Sequence, residues 1–312
     1  MKGRSSVGVL VALLVMGVTA FYAARNPERQ DLNDAARKGA SGQFVRLSEG
    51  VTHYELSGPD SGRVIVLVHG FSVPYYIWDS TAAALSSAGR RVLRYDQFGR
   101  GLSDRPHVEY TADVYDRQLG ELLDSLHING PVDVAGVSMG GWVTATFTGR
   151  HPKRVRSLIL VDPVADTGSR SLGVYGWPVV GPYLWQTLVA PTTADNQASD
   201  FLHPDRFPDW AERYRPQTRL RGFGHALLST RRVEAGLRMD SVYRVVAQTR
   251  TPVMLLWGTS DKTVPFARNE LVRKALPAAE FHPIDDAAHL PILERAALTD
   301  SLFLSFLARQ AP

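Results

Sequence analysis

The sequence predicts an α/β fold in which a mostly parallel sheet is flanked by helices. Short apolar runs with the composition of buried strands alternate along the chain with segments of helical composition, as in proteins built from repeated strand–helix units. One segment of roughly eighty residues, 165–247, contains no such run, although connections between elements are normally shorter than about fifteen residues. The 312 residues of the chain are sufficient for one large domain that carries this insertion.

The N-terminal segment, 7–24, is an uncharged stretch of 18 residues, which is close to the length needed to cross a bilayer. We therefore interpret residues 1–24 as a signal anchor or transmembrane segment that associates the protein with a membrane. Phe21 and Tyr22 are bulky where a signal peptidase requires small residues. This favours a retained anchor over the alternative, a secreted or periplasmic protein released by cleavage. Residues 25–42 are polar and are interpreted as a linker.

The first core strands follow the linker. Residues 44–47 and 51–56 have the pattern of a hairpin at the edge of a sheet. Val64–Val68 is a continuous β-branched run, which is typical of a strand buried on both faces. We expect a helix over 77–88 and a further strand over Arg91–Tyr95.

The loop that follows this strand, 96–104, contains Gly99 and Gly101. It lacks the third glycine of a dinucleotide-binding loop, and no helix begins directly after it, so the loop predicts no nucleotide site. We expect the next helix to begin at Thr111, with the threonine side chain as its cap.

The stretch from Val132 to Arg150 has the form of a nucleophile elbow. Val132–Val137 predicts a buried strand and 142–147 a helix, with Gly-Val-Ser-Met-Gly between them. Reversing the chain within so few residues forces Ser138 into a strained backbone conformation, so the flanking positions require glycine. The serine hydroxyl is then exposed beside a helix N-terminus, whose unpaired amides stabilise negative charge.

The strand–helix alternation continues with a strand over Val155–Val161 and resumes after the insertion. The later elements are a strand over 253–257, a helix over 265–276, a short strand over 281–284 and a helix over 292–307. We divide the chain into an anchor (1–24), a linker (25–42), a first part of the core (43–164), an inserted helical cap (165–248) and a second part of the core (249–312).

The strand order, the turn His69-Gly70-Phe71, the elbow and the two C-terminal loops together resemble the α/β-hydrolase fold family over about residues 43–310. That family orders its catalytic residues as nucleophile, acid and histidine, each at the C-terminal end of a strand. The resemblance implies that these are Ser138, Asp261 and His289. Residue 288 is alanine, where the family often has glycine before the histidine.

The resemblance also implies a chemistry for these residues. An imidazole must take the proton of the serine hydroxyl, which is a poor nucleophile at neutral pH, and the acid orients the imidazole. The implied oxyanion hole consists of the backbone amides of Phe71 and Met139. Asp162, after the strand Val155–Val161, is a rival acid because some family members place the acid there. We expect His69 to have a structural role beneath the oxyanion turn.

Composition excludes several other classes of function. The net charge of +4 includes Lys2 and Arg4, so that the rest of the chain carries about +2 and nucleic acid is not an expected partner. Cysteine is absent, which excludes disulfides, thiolate metal sites and a cysteine nucleophile. No metal-binding pattern of histidines and carboxylates occurs, so we expect neither a metal nor another cofactor.

The predicted cap is locally basic, with ten arginines and five acidic residues over 205–250. One interpretation is a solvated charged face. The alternative is a surface that contacts an anionic membrane and admits lipid-like substrates.

The activity that the resemblance implies is hydrolysis of a small-molecule carboxylic ester through an acyl-enzyme on Ser138. Lipid-like esters are among the substrates that it includes. Among family members, the chain is most similar to capped serine esterases and monoacylglycerol-lipase-like enzymes. Haloperoxidases or perhydrolases, carbon–carbon bond hydrolases and iminopeptidases use the same three residues and remain alternatives. A non-catalytic receptor that binds a small ligand under the cap is an alternative of another class.

Overall fold

The structure is a computed structural model that describes residues 2–165 and 171–310, and only the backbone of residues 2–6. The side chains of Lys2 and Arg4 and the start of the predicted cap, at 166–170, therefore lie outside the described residues.

Within the described residues, eight strands form one sheet in the order β1-β2-β4-β3-β5-β6-β7-β8. The strands are β1 (Gln43–Leu47), β2 (Gly50–Ser57), β3 (Val64–Val68), β4 (Arg91–Tyr95), β5 (Val132–Val137), β6 (Val155–Val161), β7 (Val253–Gly258) and β8 (Glu280–Ile284). The pairs β1–β2 and β2–β4 are antiparallel, and the pairs among β3 to β8 are parallel. The predicted hairpin, the parallel strands and the α/β class are confirmed.

The described residues also form twelve α-helices. They are α1 (Lys2–Arg25), α2 (Asp34–Arg37), α3 (Asp79–Ser87), α4 (Ala112–Ser125), α5 (Met139–Arg150), α6 (Val180–Leu184), α7 (Trp210–Thr218), α8 (Phe223–Glu234), α9 (Met239–Thr249), α10 (Asn269–Ala275), α11 (Pro291–Glu294) and α12 (Ala296–Ala308). Short 3-10 turns precede several of them, and a single π-helical turn, Trp185–Val189, follows α6.

Several helices differ from the sequence prediction. The helix expected over 142–147 spans Met139–Arg150, and the helix expected over 265–276 becomes α-helical only at Asn269. The helix expected over 77–88 begins as a 3-10 turn and becomes α-helical only at Asp79. The helix expected over 292–307 is divided into α11 and α12, because Arg295 has φ −129° and ψ 43°, outside the helical region. Thr111 does precede α4, but its side chain makes no capping hydrogen bond.

The alternation of side chains along β3 shows how the two layers of the core arise. Val66 and Val68 face one side and pack with α4, α5 and α9, whereas Ile65 and Leu67 face the other side and pack with α3 and α12. All four side chains are fully buried, as the β-branched run predicts. Because β3 to β8 run parallel, their C-terminal ends lie at one edge of the sheet. The insertion lies above this edge.

The insertion, as far as the structure describes it, contains short helical turns followed by α7, α8 and α9. The first two of these helices lie over the strand ends. Met239, Tyr243 and Val246 of α9 are buried in the layer formed by α4 and α5. The packing of α9 is thus with the core layer rather than with the rest of the insertion.

The first turns of the N-terminal helix α1 project from this body. The segment Val7–Arg25 of α1 has a mean hydropathy of 2.3 and no buried residue, so it is long and apolar enough to cross a bilayer, a property that signal sequences share. The segment that follows, expected as a linker, is packed on the body. Glu28 accepts hydrogen bonds of 2.7 Å from the amides of Gly222 and Gly224 at the start of α8, and Arg37 is buried and donates to the carbonyl of Leu102.

Candidate active site

Ser138 lies in a sharp turn between β5 and α5. Its backbone has φ 54° and ψ −119°, a conformation that L-residues rarely adopt. Three backbone hydrogen bonds hold this conformation: Ser138 donates to Val161 O (2.9 Å), and its carbonyl accepts from Gly141 (2.9 Å) and Val164 (3.1 Å). The strand–turn–helix geometry expected of an elbow is present, and the serine lies at the N-terminus of α5.

The flanking glycines are required by close backbone contacts. A Cβ atom on Gly136 would lie 2.2 Å from the carbonyl oxygen of Gly140, and one on Gly140 would lie 2.3 Å from the carbonyl oxygen of Val68. Both distances are far shorter than van der Waals contact. The glycine pattern of the sequence therefore follows from how closely α5 approaches β3 and β5.

Ser138 lines a cavity of about 330 Å³ between the strand ends and the cap. The core contributes Gly70, Phe71, Val137, Ser138, Val264 and His289 to its walls, and the cap contributes Trp185, Val189, Thr193, Gln197, Leu227 and Arg231. The predicted nucleophile, histidine and oxyanion turn thus share one cavity that the insertion covers.

His289 is paired with Asp261. The imidazole Nδ1 donates to Oδ2 of Asp261 over 2.8 Å, and both residues are buried at 4% exposure. The other carboxylate oxygen accepts from the amides of Thr263 (2.8 Å) and Val264 (3.0 Å). A proton on Nδ1 leaves Nε2 as the basic nitrogen.

The electrostatic environment favours the protonated imidazole. Burial lowers the pKa of His289, but the charge and hydrogen bond of Asp261 raise it more, so the pKa lies above 6.5. Among the described residues, no hydrogen bond joins the Ser138 hydroxyl to His289. Such bonds are often long before substrate binds and shorten in the substrate complex.

Asp162, the rival acid, lies at the end of β6, next to this pair. It is fully buried with φ 42°, and its Oδ1 accepts from the amide of Gly258 over 2.8 Å. Burial and the charge of Asp261 hold the pKa of Asp162 well above its usual range. The structure therefore pairs His289 with Asp261, whereas burial beside Asp261 favours the protonated form of Asp162.

Asp162, Asp261 and His289 each offer one ligand atom within 4.8 Å of the others, and no other such group occurs in the described parts of the chain. Asp261 already bonds His289 and two amides, and Oδ1 of Asp162 accepts from an amide, whereas Oδ2 of Asp162 is buried without a hydrogen-bond partner among the described residues. A protonated Asp162 beside the Asp261 carboxylate is consistent with this arrangement.

The predicted oxyanion turn lies directly against the nucleophile. A Cβ atom on Gly70 would lie 3.3 Å from Ser138 Cβ and 3.9 Å from its hydroxyl oxygen. Phe71 follows Gly70, and Met139 is the first residue of α5. In the part of the chain that the structure describes, neither of these two backbone amides donates to a protein acceptor, so both are free to bind an oxyanion.

His69 supports this turn from below. It is fully buried, its Nδ1 donates to Gly70 O over 2.8 Å, and its Nε2 accepts from the amide of Gln97 over 2.9 Å. Burial lowers the pKa of His69 to about 4, which keeps the ring neutral at pH 7. The expected structural role agrees with these contacts.

Sequence reasoning missed Arg100, which lies in the glycine loop after β4. Its guanidinium is fully buried and donates to Phe71 O (2.8 Å) and to Thr230 Oγ1 of α8 (2.9 Å), and it lies 3.8 Å from the Met139 sulfur. No ion pair to a carboxylate occurs among the described residues. Arg100 therefore fixes both predicted oxyanion residues and ties them to the cap. The glycines of this loop invite comparison only with a nucleotide motif, and nothing local in the sequence indicates these contacts.

Arg231 was also missed. Its guanidinium lies 4.0 Å from the centre of the Phe71 ring, and it forms an ion pair of 2.8 Å with the buried Glu234. The charge of Arg231 opposes the rise in the pKa of His289. A cation thus lies in the cavity wall close to the predicted catalytic residues.

Comparisons with known proteins agree with this geometry. The family model described as the alpha/beta hydrolase family matches residues 65–300. Lipase 1 of Psychrobacter immobilis is 23% identical over 261 residues, which cover 81% of this chain and 79% of the lipase. The 2-hydroxy-6-oxo-2,4-heptadienoate hydrolase of Pseudomonas putida is 27% identical over 263 residues, which cover 80% of this chain and 91% of that hydrolase.

Among solved structures, the enol-lactonase from Burkholderia xenovorans superposes with a TM-score of 0.75 at 23% sequence identity. The match covers 86% of this chain and all of that chain. At this identity, the superposition shows a shared fold.

Proposed function

This chain belongs to the alpha/beta hydrolase family, and from that premise we propose that it is a serine hydrolase that cleaves carboxylic esters through an acyl-enzyme on Ser138. The observation that carries the proposal is the 2.8 Å bond between His289 and Asp261 beside a strained serine in the same cavity. A buried imidazole oriented by a carboxylate is the base that a serine nucleophile requires. The similarity to Lipase 1 supports an ester as the substrate.

The first half of the reaction forms the acyl-enzyme. The Ser138 oxygen attacks the ester carbonyl carbon while His289 Nε2 takes the hydroxyl proton, and the carbonyl oxygen becomes an oxyanion held by the amides of Phe71 and Met139. The carbon–oxygen bond to the alcohol then breaks, and the imidazolium returns its proton to the leaving alkoxide. In the second half, water replaces the alcohol: His289 removes its proton, the acyl group passes to the hydroxide, and the proton returns to Ser138.

Each element of the site contributes to one of these steps. Asp261 keeps the Nδ1 proton in place, so that Nε2 faces the nucleophile, and it stabilises the imidazolium. The two amides act on charge that develops only in the transition state, and loss of one oxyanion donor costs about 3 to 4 kcal/mol in comparable sites. Arg100 adds a buried positive charge next to the oxyanion turn.

One part of the cavity wall is apolar and suits an acyl group, whereas another part is lined by polar and charged side chains. Ile77, Val189 and Leu227 line the apolar part together with Trp185. The cavity volume of about 330 Å³ is at the lower end of the range for small-molecule sites, about 300 to 1,000 Å³. We therefore expect acyl chains of short to medium length to fit fully, and longer chains to extend toward the cap surface. The N-terminal helix, as a retained anchor, would place this site at a membrane that supplies such esters.

Hydrolysis of a carbon–carbon bond is a second candidate. The relative from Pseudomonas putida is a 2-hydroxy-6-oxo-2,4-heptadienoate hydrolase, and substrates of that class carry a carboxylate. Arg231 in the cavity wall offers a guanidinium to such a group, although Glu234 holds it at 2.8 Å. Parallel assays with a 2-hydroxy-6-oxo-dienoate and with carboxylic esters decide between the two candidates.

Labelling with a fluorophosphonate probe tests the proposed nucleophile. We expect wild-type protein to be labelled, and Ser138→Ala and His289→Ala to lose labelling. Ser72→Ala is a matched control, because Ser72 lines the same cavity but has no proposed role in acyl transfer. A wild-type protein that is folded but not labelled would favour the receptor alternative. A panel of p-nitrophenyl and glyceryl esters of increasing chain length then defines the acyl preference.

A further inference from the structure

The N-terminal helix does not leave the body freely but lies against the cap. Tyr183 donates its hydroxyl to Val18 O over 2.9 Å, and its ring stacks on Tyr22 at 5.8 Å. Arg25 donates to Thr187 O over 3.2 Å. These contacts fix the last two turns of α1 beside α6 and the π-helical turn.

The length of the apolar segment decides where the cap lies if α1 crosses a bilayer. Val7–Arg25 contains 19 residues, which as a helix span roughly 28 Å, and a hydrocarbon core is about 30 Å thick. The whole segment is thus needed to span the core. Val18 lies seven residues before Arg25, or about 10 Å toward the membrane centre. Atoms of the cap that touch Val18 must therefore lie at or below the bilayer surface.

The cap surface beside α1 is suited to that position. Five large apolar side chains are exposed there, and we call them the cap patch: Val174 (42%), Trp177 (59%), Val179 (83%), Val180 (43%) and Leu188 (45%). Tryptophan is enriched at membrane interfaces. Val179 has φ 63°, a strained conformation for a β-branched residue. Val179 is 83% exposed, so packing among the described residues does not account for a strained valine at this position.

The cap patch also adjoins a possible substrate route. A cavity of about 680 Å³ lies between the end of α1, the cap and the loop 107–109, with Tyr22, Val179, Tyr183 and Trp185 in its walls together with polar and charged side chains. Trp185 also lines the cavity that contains Ser138. The indole of Trp185 therefore separates the space beside the membrane helix from the proposed active site.

We propose that the cap patch is immersed in the lipid bilayer beside α1, and that ester substrates enter from the bilayer past Trp185. The substrate route rests on the proposed ester hydrolysis, whereas immersion of the patch does not. Apolar burial, rather than charge, drives the contact. Six of the ten arginines over 205–250 form ion pairs with carboxylates, namely Arg213, Arg215, Arg221, Arg231, Arg238 and Arg244. Binding should therefore depend little on anionic lipid.

Single-cysteine labelling tests the immersion directly, because the chain has no native cysteine. The full-length protein is reconstituted at one chain per lipid nanodisc, with a spin label at Trp177→Cys or Val179→Cys. Leu298→Cys is the matched control, because Leu298 is an exposed apolar residue (42%) on α12. We expect labels at 177 and 179 to be accessible to oxygen and shielded from an aqueous nickel chelate, and the label at 298 to show the reverse. Equal access of the chelate to all three sites would overturn the proposal.

An activity measurement tests the route. Trp177→Asp should lower the rate on a glyceryl ester embedded in the bilayer and leave the rate on a soluble p-nitrophenyl ester unchanged, whereas Leu298→Asp should change neither. No loss on the embedded ester, or an equal loss on both substrates, would contradict entry from the bilayer. Fluorophosphonate labelling of every variant separates the two proposals: a labelled protein with a water-exposed patch refutes this inference alone, and an unlabelled wild type with a lipid-exposed patch refutes the proposed hydrolase alone.

Discussion

Replacing Asp162 with asparagine removes one titratable proton with almost no change in volume, so its effect on stability should depend on pH. Burial and the neighbouring Asp261 raise the folded-state pKa of Asp162 well above the ordinary value of 3.8. The folded protein therefore retains a proton that the unfolded chain releases. The stability that this proton contributes is fully present below a pH of 3.8 and is lost as the pH rises through the folded-state pKa.

The size of the effect follows from this linkage. Between the unfolded-state and folded-state pKa values, wild-type protein loses about 1.4 kcal/mol of unfolding free energy per pH unit through this group. Asparagine does not titrate, and its amide oxygen can keep the 2.8 Å bond from the Gly258 amide. The stability of Asp162→Asn relative to wild type should therefore rise by that amount per pH unit, which is roughly 2 °C in Tm for a chain of this size.

Thermal unfolding from about pH 4 to about pH 8 measures this slope. Asp133→Asn is a suitable control: Asp133 is equally buried but is bonded to Ser157 (2.7 Å) and Arg156 (3.1 Å), so its replacement should destabilise the protein across the range. A difference between Asp162→Asn and wild type that is constant, or that shrinks as pH rises, would refute the assignment of a protonated Asp162.

Three further predictions concern the site and its backbone. Asp261→Asn should lower kcat/KM by about 10⁴-fold; because Asp261 raises the pKa of His289, the acid limb of the remaining pH–rate profile should move to lower pH, and an unmoved limb would assign the orienting role elsewhere. Arg100→Met should lower kcat by about tenfold or more with KM nearly unchanged, since Arg100 fixes the oxyanion residues rather than binding substrate; a change in KM alone in steady-state kinetics would contradict this. Gly136→Ala should destabilise the fold by several kcal/mol or prevent folding, because the new Cβ would lie 2.2 Å from a carbonyl oxygen. In thermal unfolding, Gly130→Ala should be nearly neutral, as nothing lies within 4 Å of that position, and equal losses in the two variants would refute the steric argument.

The sequence predicts the parts of this structure whose cause is local. The buried strands are recognisable because each residue of a run such as Val64–Val68 is covered on both faces of the sheet. The elbow is recognisable because each of its two glycines lies against a backbone atom of the same five-residue turn or of an adjacent strand. The loops that hold Asp261 and His289 each follow one strand and have short characteristic sequences.

Features that depend on distant partners were not predicted. Arg100 donates a hydrogen bond to Thr230, and Glu28 accepts one from the amide of Gly222. No spacing in the sequence indicates that the members of either pair meet. The sequence indicates the cap only by the absence of buried strand runs, because the short turns of the cap have no sustained periodicity. For the same reason, the sequence did not show that α9 packs with the core, nor that residues after α1 are bound to the body.

The bond from Arg100 to Thr230 also limits how the site can open. Because Gln217 of α7 likewise bonds Ser72 O (2.9 Å) and the Gly101 amide (3.1 Å), α7 and α8 cannot swing away without dismantling the proposed oxyanion turn. The cap is therefore no hinged lid. We expect substrate to be admitted by rearrangement of the short turns over 173–198, which are hydrogen-bonded to α1, the segment after it and the rest of the cap, whereas Asp200, Leu202 and His203 are bonded to His289 and Glu294 of the core. Motion of that kind is a loop fluctuation of nanoseconds to microseconds rather than a domain closure of microseconds to milliseconds, so it would leave the proposed catalytic residues assembled.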